Sequence, residues 1–136
     1  MRVKFRFPLR HPFYPDLPAT PVRAARSRCS VLSGSVEELA RASKAGVRVE
    51  RAVFVLQRPD RPFLSDPERD TLWHMFEVPV FTLLLDDAGR LVGYECEAQA
   101  GLHVGPETDH DGPWDEGMLD SSPCECGRPG HRLRSQ

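Results

Sequence analysis

The sequence predicts an α/β fold with a mixed, partly parallel sheet flanked by two helices. Helical and strand patterns alternate along residues 35–104, and the strand segments are largely continuous apolar runs, as expected for strands buried on both faces. The chain has 136 residues, of which 40% are hydrophobic and 28% charged. These values are ordinary for a globular domain with a substantial core, so we predict a single domain spanning residues 1–136.

Residues 1–34 are predicted to form an N-terminal strand and a proline-rich arm. The segment RVKFRF at residues 2–7 alternates strictly between cationic and apolar residues, which is typical of a half-buried strand. Its cationic face consists of Arg2, Lys4 and Arg6. Five prolines then fall within residues 8–21. Because proline removes backbone donors and interrupts both regular structures, this stretch is predicted to be extended and irregular.

Two helices are predicted from their start and stop signals. Ser35 and Glu38 form the pattern of a capping box ahead of the segment VEELARASKA, and Gly46 is suited to end this helix. Asp66 is suited to cap the second helix, with Pro67 at its first position. The apolar stripe of the second helix is predicted to consist of Leu72, Trp73 and Phe76.

Three strands complete the α/β core predicted for residues 35–104. The segment VRVERAVFVLQ at 47–57 ends in a continuous apolar run, and VPVFTLLL at 78–85 is apolar almost throughout. The turn DDAG at 86–89 leads into a third strand, RLVGYECEA, at 90–98.

The last part of the chain differs in composition from the core. Residues 105–123 carry six carboxylates and neither lysine nor arginine, so they are predicted to form a solvated acidic loop. Residues 124–136 contain a Cys-x-Cys pair and a short basic tail.

Composition argues against several classes of function. The net charge of −2 and the acidic loop disfavour a nucleic-acid partner, and no run approaches the ~18 apolar residues of a membrane span. The N-terminus lacks the apolar region of a signal peptide, which indicates the cytoplasm, where clustered cysteines bind metal more often than they form disulfides. Heavy use of arginine, alanine and proline is typical of a GC-rich bacterial genome.

Two motifs indicate a metal site. Cys96 and His103 flank a glycine turn, and Cys124 and Cys126 follow twenty residues later. Thiolates and an imidazole favour zinc, and Gly127 would let the Cys-x-Cys pair turn with little strain. The alternative is that Cys96 is a small buried apolar residue and the pair a reduced tail. Two further histidines compete as ligands: His131 and, more weakly, His110. Cys29 is assigned to packing.

These motifs resemble those of the phenylacetate–CoA ligase family of adenylate-forming enzymes. The segments YECEAQAGLHV and CECGRPGHRL are similar to two of its signatures, and FEVPVF resembles the family's FGVPVY. The likeness covers residues 35–104 and 123–133. It implies that a structural zinc ion is bound by Cys96, His103, Cys124 and Cys126.

The chain departs from this family in the parts that carry catalysis. Where the family has a Tyr-Gly-Leu-Thr-Glu segment, this sequence reads TLLLDDAGRL, and it has no glycine-rich phosphate loop. Only ten residues follow Cys126, too few for the family's C-terminal domain and its catalytic lysine. We therefore expect a non-catalytic relative with no catalytic residues and no nucleotide cofactor.

A hydrolytic zinc is not expected either. A catalytic zinc keeps one position open for water, whereas three cysteines and a histidine fill all four positions. Three glutamates lie beside the ligands in the sequence: Glu95, Glu97 and Glu125. One of them could serve as a general base, but glutamates beside zinc ligands more often support the ligands or face solvent.

Because catalysis is not expected, we predict that the protein binds a partner. The chain is similar in size and role to peptide-binding accessory proteins of crocagin biosynthesis, which implies a precursor peptide of ribosomal natural-product biosynthesis as the partner. A free sheet edge can take up an extended peptide, and the row of Arg2, Lys4 and Arg6 would favour an acidic one. The same charges can instead protect an edge from aggregation, and an exposed edge can pair with a second copy to form a homodimer.

Two other functions stay open at this point. The first is a subunit or remnant of an adenylate-forming acid–CoA ligase. The second is a nucleic-acid binder resembling a zinc ribbon.

Overall fold

The computed structural model describes residues 10–59, 63–104 and 119–134. The strand predicted at residues 2–7, with Arg2, Lys4 and Arg6, lies outside the described residues, as does most of the acidic loop.

The described residues form one mixed sheet of eight strands in the order β1-β2-β3-β4-β5-β6-β8-β7. Strands β1 to β4 are parallel to one another, and every pairing from β4 onward is antiparallel. The strands are β1 (Thr20–Pro21), β2 (Arg28–Gly34), β3 (Arg48–Gln57), β4 (Val80–Leu85), β5 (Leu91–Glu95), β6 (Leu102–His103), β7 (Leu119–Asp120) and β8 (Arg132–Leu133). The helices are α1 (Val36–Lys44), α2 (Asp66–Phe76) and a short 3-10 helix (Val22–Ala24). The predicted fold class is confirmed.

Both α-helices pack on the same face of the sheet. Leu39 and Ala42 of α1 and Leu72 and Phe76 of α2 share one apolar cluster with Val53 and neighbouring strand residues. Alternate residues of the central strands point to the other face.

The proline-rich arm covers that other face. Tyr14, Leu17 and Ala19 pack there against side chains from β3 and β4, including Phe54 and Phe81. The arm is therefore a layer of the fold. Because both faces of β4 are covered, all six of its residues are buried.

Strand β2 is an element that the sequence analysis did not predict. It pairs in parallel with β3 and contributes fully buried Val31 and Leu32 to the two faces of the core. Its segment, RCSVLSG, is short, half polar and preceded by prolines, so its own pattern does not separate it from the arm. Its pairing with β3, made twenty residues further on, is what places it in the sheet.

The two helix starts differ in how well they were predicted. At α1 the capping box is confirmed: Glu38 N donates to Ser35 Oγ at 3.1 Å, and Ser35 N donates to Glu38 Oε1 at 2.9 Å. At α2 the predicted cap, Asp66, was wrong by one residue. Ser65 is the N-cap, with its own capping box to Glu68, and Asp66 begins the helix.

The predicted stripe of α2 is only partly buried. Leu72 and Phe76 reach the core, whereas Trp73 is 49% exposed. Among the described residues no helix is both long enough and apolar enough to cross a membrane.

Candidate metal centre

Four side chains from three chain segments converge at the edge of the sheet beyond β5. One candidate ligand atom from each of Cys96, His103, Cys124 and Cys126 lies within 4.8 Å of all the others. The Sγ atoms of Cys96 and Cys124 are 3.6 Å apart, and Cys126 Sγ is 3.5 Å from His103 Nε2. The predicted residues are thus close enough to hold one metal ion.

The turn between β5 and β6 places the first two of these residues. Cys96 directly follows β5, and Gln99 N donates to Cys96 O at 3.0 Å to close the turn. Gly101 has a φ of +101°, and a Cβ atom there would lie 2.7 Å from Leu133 O. Only glycine therefore allows β8 to approach this turn so closely.

A second tight turn places the Cys-x-Cys pair. Gly127 N donates to Cys124 O at 3.0 Å, and Gly127 has a φ of +82°. The backbone N of Arg128 donates to Cys126 Sγ at 3.5 Å. Both sulfurs consequently face the same point, as expected from the glycine after the pair.

Strand β8 and a buried arginine join this segment to the sheet. Leu133 and Arg132 pair with Leu102 and His103 of β6. Arg132 is 3% exposed, donates to Ala100 O at 2.5 Å and forms an ion pair with Asp120. The cluster therefore brings together the turn after β5 and the Cys-x-Cys segment, and the pairing of β6 with β8 joins the same two parts of the chain.

Burial, charges and hydrogen bonds shift the pKa values of three side chains of the cluster. Burial raises the pKa of the Cys96 thiol to about 12, and neighbouring thiols add to this. Burial and the charges of Arg132 and Arg128 lower the pKa of His103, which keeps its imidazole neutral as a metal ligand requires. Burial opposes ionisation of Cys126, but hydrogen bonds, above all that from the Arg128 backbone, lower its pKa overall. The thiol of Cys126 therefore ionises more readily than that of Cys96.

The arm covers the cluster from outside. The ring of Phe13 meets that of His103 edge-on, with centroids 4.9 Å apart, and the guanidinium of Arg128 lies 4.2 Å above the Phe13 ring. Glu97 bonds both to Arg128, at 2.9 Å, and to the hydroxyl of Tyr14. Aromatic and charged contacts thus attach the arm to the Cys-x-Cys turn.

A buried histidine anchors the arm beside the cluster. His11 is 0% exposed, and its Nδ1 accepts a hydrogen bond from Phe13 N at 3.1 Å. Its Nε2 must then carry the proton, which it donates to Glu95 O. Burial lowers the pKa of His11 to about 4. No motif pointed to His11 or Phe13, because their roles depend on contacts across 80 residues or more.

The glutamates beside the ligands are engaged or exposed. Glu95 is buried and accepts two hydrogen bonds from Arg69, at 3.0 and 2.7 Å, and one from Thr82 N. Hydrogen bonds from Tyr14 and Arg128 lower the pKa of Glu97 to about 2. Glu125 is exposed.

Of the two competing histidines, the one that the structure describes does not join the cluster. His131 is described but lies outside the four-residue group, and Cys29 packs against the core on the helical side. His110 lies outside the described residues.

The fold and the site define a mixed α/β domain in which a Cys₃His cluster, able to hold a metal ion, lies between the sheet and the segment that follows the acidic loop. The chain matches no model of a known protein family and no curated protein. Its relation to the phenylacetate–CoA ligases stays a hypothesis based on the motifs.

Proposed function

We propose that this protein is a non-catalytic binding module, stabilised by a structural zinc ion, that recognises a peptide or protein partner. We also propose that it is a non-catalytic relative of the phenylacetate–CoA ligases. The observation that carries the structural zinc is the convergence of four soft and borderline ligands on one point in the described part of the chain.

The donor set and its spacing fit zinc. Bonds of about 2.3 Å to sulfur and 2.0–2.1 Å to nitrogen in a tetrahedron separate two sulfurs by ~3.8 Å, and a sulfur from a nitrogen by ~3.6 Å. The corresponding separations here are 3.6 Å for Cys96 and Cys124, and 3.5 Å for Cys126 and His103. A reducing compartment such as the cytoplasm would keep these thiols available for the ion.

The same donor set argues against catalysis at the metal. Four protein ligands leave no position for a water or substrate, and three thiolates reduce the Lewis acidity of the ion. Glu95 is already bound by Arg69, and Glu97 by Arg128. Zinc bound here would supply cross-linking of the chain.

A sheet edge supports partner binding. Strand β1 pairs with β2 only at Leu32 and Ser33, so within the described chain the outer edge of β2 from Arg28 to Val31 has no partner strand. Such an edge can accept an extended peptide or a second copy. We keep the row of Arg2, Lys4 and Arg6 as the proposed contact to an acidic peptide, with a ribosomal precursor peptide as the partner class.

The zinc proposal is tested by Cys126→Ser. We expect loss of most bound zinc and a lower melting temperature, because an alcohol is a poor zinc ligand. Metal content per chain by mass spectrometry and a thermal scan measure both. The matched control is Cys29→Ser, which changes the cysteine outside the cluster and should keep the zinc. Unchanged zinc in the Cys126 variant would mean that the ligand set is wrong.

The binding proposal is tested by calorimetry of the zinc-loaded chain with short acidic and uncharged peptides. Saturable binding supports the module, whereas no binding at high micromolar concentration counts against it. Carboxylate-dependent ATP–pyrophosphate exchange would instead show an adenylating enzyme, and salt-sensitive retention of DNA or RNA a nucleic-acid binder.

A further inference from the structure

Three of the four residues of the metal cluster are closed off from solvent. Cys96, His103 and Cys124 are 0%, 2% and 7% exposed, whereas Cys126 is half-buried. Solvent therefore reaches the cluster most readily from the side of Cys126. Arg128 lies on that side and contacts the proline-rich arm through the ring of Phe13. The contact between the arm and the Cys-x-Cys turn is consequently placed where a metal ion would enter or leave.

Two residues of the arm, Phe13 and Tyr14, form what we call the arm lid. Backbone bonds hold them in a turn, since Tyr14 N donates to His11 O and Leu17 N donates to Tyr14 O, each at 3.0 Å. The turn is attached to the sheet through His11, whose Nε2 donates to Glu95 O. A substitution in the arm lid can therefore loosen it without detaching the arm from the sheet.

The arm lid holds the imidazole of His103 in place. The ring of His103 meets Phe13 edge-on, with centroids 4.9 Å apart, and stacks on Tyr94 at 6.5 Å with an interplanar angle of 15°. Phe13 and Tyr94 also meet edge-on, at 5.1 Å. The two rings restrict the imidazole to the orientation in which its Nε2 lies 3.5 Å from Cys126 Sγ. Phe13 thus helps to orient a candidate ligand.

A charged pair connects the arm lid to the segments that carry the cysteines. Arg128 donates two hydrogen bonds to Glu97, at 3.0 and 2.9 Å, and Glu97 accepts another from the hydroxyl of Tyr14. The guanidinium of Arg128 also makes a cation–π contact with Phe13, 4.2 Å above the ring. The backbone N of Arg128 donates to Cys126 Sγ at 3.5 Å. The residue that bonds to this thiol is therefore the one that bonds to the arm lid.

Metal in the cluster would strengthen these contacts. Three thiolates outweigh the two positive charges of a zinc ion, so a cluster that holds zinc has a net negative charge. The positive side chain of Arg128 beside Cys126 would be attracted to it at close range. Because coupling between two events is reciprocal, a loaded cluster and a closed lid would stabilise each other.

We propose that the arm lid controls the exchange of the metal ion at the cluster. With the lid closed, Phe13 keeps the His103 imidazole directed toward the ion and Arg128 covers the side of Cys126, so the ion leaves slowly. Opening of the lid frees the imidazole and admits water or a competing ligand. Phe13 acts as a positioning residue, since it supplies no ligand atom. This inference rests on the proposed zinc site and concerns how that site is regulated.

The test measures the transfer of zinc from the full, loaded chain to excess pyridylazoresorcinol, a chromogenic chelator, where the rate no longer depends on chelator concentration. Phe13→Ala should release zinc about tenfold faster, because it removes both the ring beside His103 and the cation–π contact. Glu97→Gln and Tyr14→Phe should each release it about threefold faster, since each weakens one contact of the lid. Zinc content per chain should stay the same in all three variants, because the four ligands remain.

Two control variants separate the arm lid from local charge and from general stability. Glu125→Gln removes the same charge as Glu97→Gln, but from an exposed side chain between the two cysteines. Val53→Ala leaves a cavity in the core on the helical side of the sheet and should lower the melting temperature. Both should release zinc at the wild-type rate. Amide hydrogen exchange of Tyr14 and Leu17 in the loaded chain should be faster in Glu97→Gln and unchanged in Glu125→Gln.

The outcomes distinguish the lid from the zinc site itself. If the wild type takes up no zinc, the proposed zinc site fails and the lid fails with it. If zinc binds but the lid variants release it at the wild-type rate, the site stands and the lid is wrong. Release from Val53→Ala as fast as from Phe13→Ala would show that exchange follows overall stability, which also overturns the lid. Should Phe13→Ala not fold, the milder Tyr14→Phe and Glu97→Gln decide by the same comparison.

Discussion

At the scale of single residues, the protein depends on side chains whose importance appears only in three dimensions. The four cysteine and histidine positions could be predicted because their chemistry is rare, although their spacing left other histidines open and the resemblance to the ligase signatures selected the set. His11 could not be predicted, since an isolated histidine among prolines carries no pattern. Its role arises from burial among aromatic rings, including Tyr14 at 4.5 Å and Tyr94 at 5.6 Å.

The burial of His11 makes stability depend on pH. The folded-state pKa is about 4 against 6.5 for the free side chain, so the unfolded chain takes up the proton first as the pH falls. Stability contributed by neutral His11 is complete above pH 6.5 and is lost between pH 6.5 and 4, by at most about 3 kcal/mol. Urea unfolding of the wild type and of His11→Gln, from pH 7.5 to 4.5, measures this.

The comparison of the two chains removes the pH-dependent contributions that both chains share. The variant should be less stable at pH 7.5, and its stability should fall less steeply with pH. Parallel curves for the two proteins would show that His11 does not carry the pH dependence.

At the scale of elements, the sequence predicted best the features that depend only on neighbouring residues. The capping box of α1 requires only Ser35 and Glu38, and both bonds form. The start of α2 was misplaced because Ser65 and Asp66 are both good caps, and Pro67 fits the first or the second helical position. Strand β2 was missed for the opposite reason, because its place is fixed by its pairing with β3.

The N-cap of α2 is open to a direct test. Ser65→Ala should lower the free energy of unfolding by about 1 kcal/mol, because it removes the acceptor for Glu68 N. Asp66→Ala, one residue further on, loses only a favourable interaction with the helix dipole and should cost about 0.3–0.5 kcal/mol. Equal losses in chemical denaturation, or a larger loss for Asp66→Ala, would restore Asp66 as the cap.

At the scale of the whole molecule, the sheet has two parts that are stabilised by different interactions. Strands β2 to β4 lie between the helices and the arm, with apolar clusters on both faces. Strands β6, β7 and β8 have two residues each and share a smaller apolar cluster. The sequence predicted β3 and β4 of the first part through their apolar runs. The second part is too short for any periodicity, and only its cysteines and histidine indicated it.

Removing the metal should therefore act on one part of the molecule. We expect a chelator to speed amide hydrogen exchange in residues 96–104 and 119–134, while β2 to β4 stay protected, because their core does not depend on the cluster. Hydrogen exchange followed by mass spectrometry, before and after metal removal, resolves these segments. Cooperative loss of protection across the whole sheet would mean that the ion is required for the fold as a whole.

The order of the strands β6, β8 and β7 limits when this edge of the sheet can finish forming. Strand β8 lies between β6 and β7, and in the described part of the chain β7 joins the sheet through β8 alone. Translation delivers Leu119 and Asp120 before Arg132 and Leu133, so the earlier pair has to wait beside an incomplete edge. An ion bound by the cluster would, likewise, meet all four side chains only after Cys126 has left the ribosomal exit tunnel, so metal binding would follow the synthesis of both segments that the cluster joins.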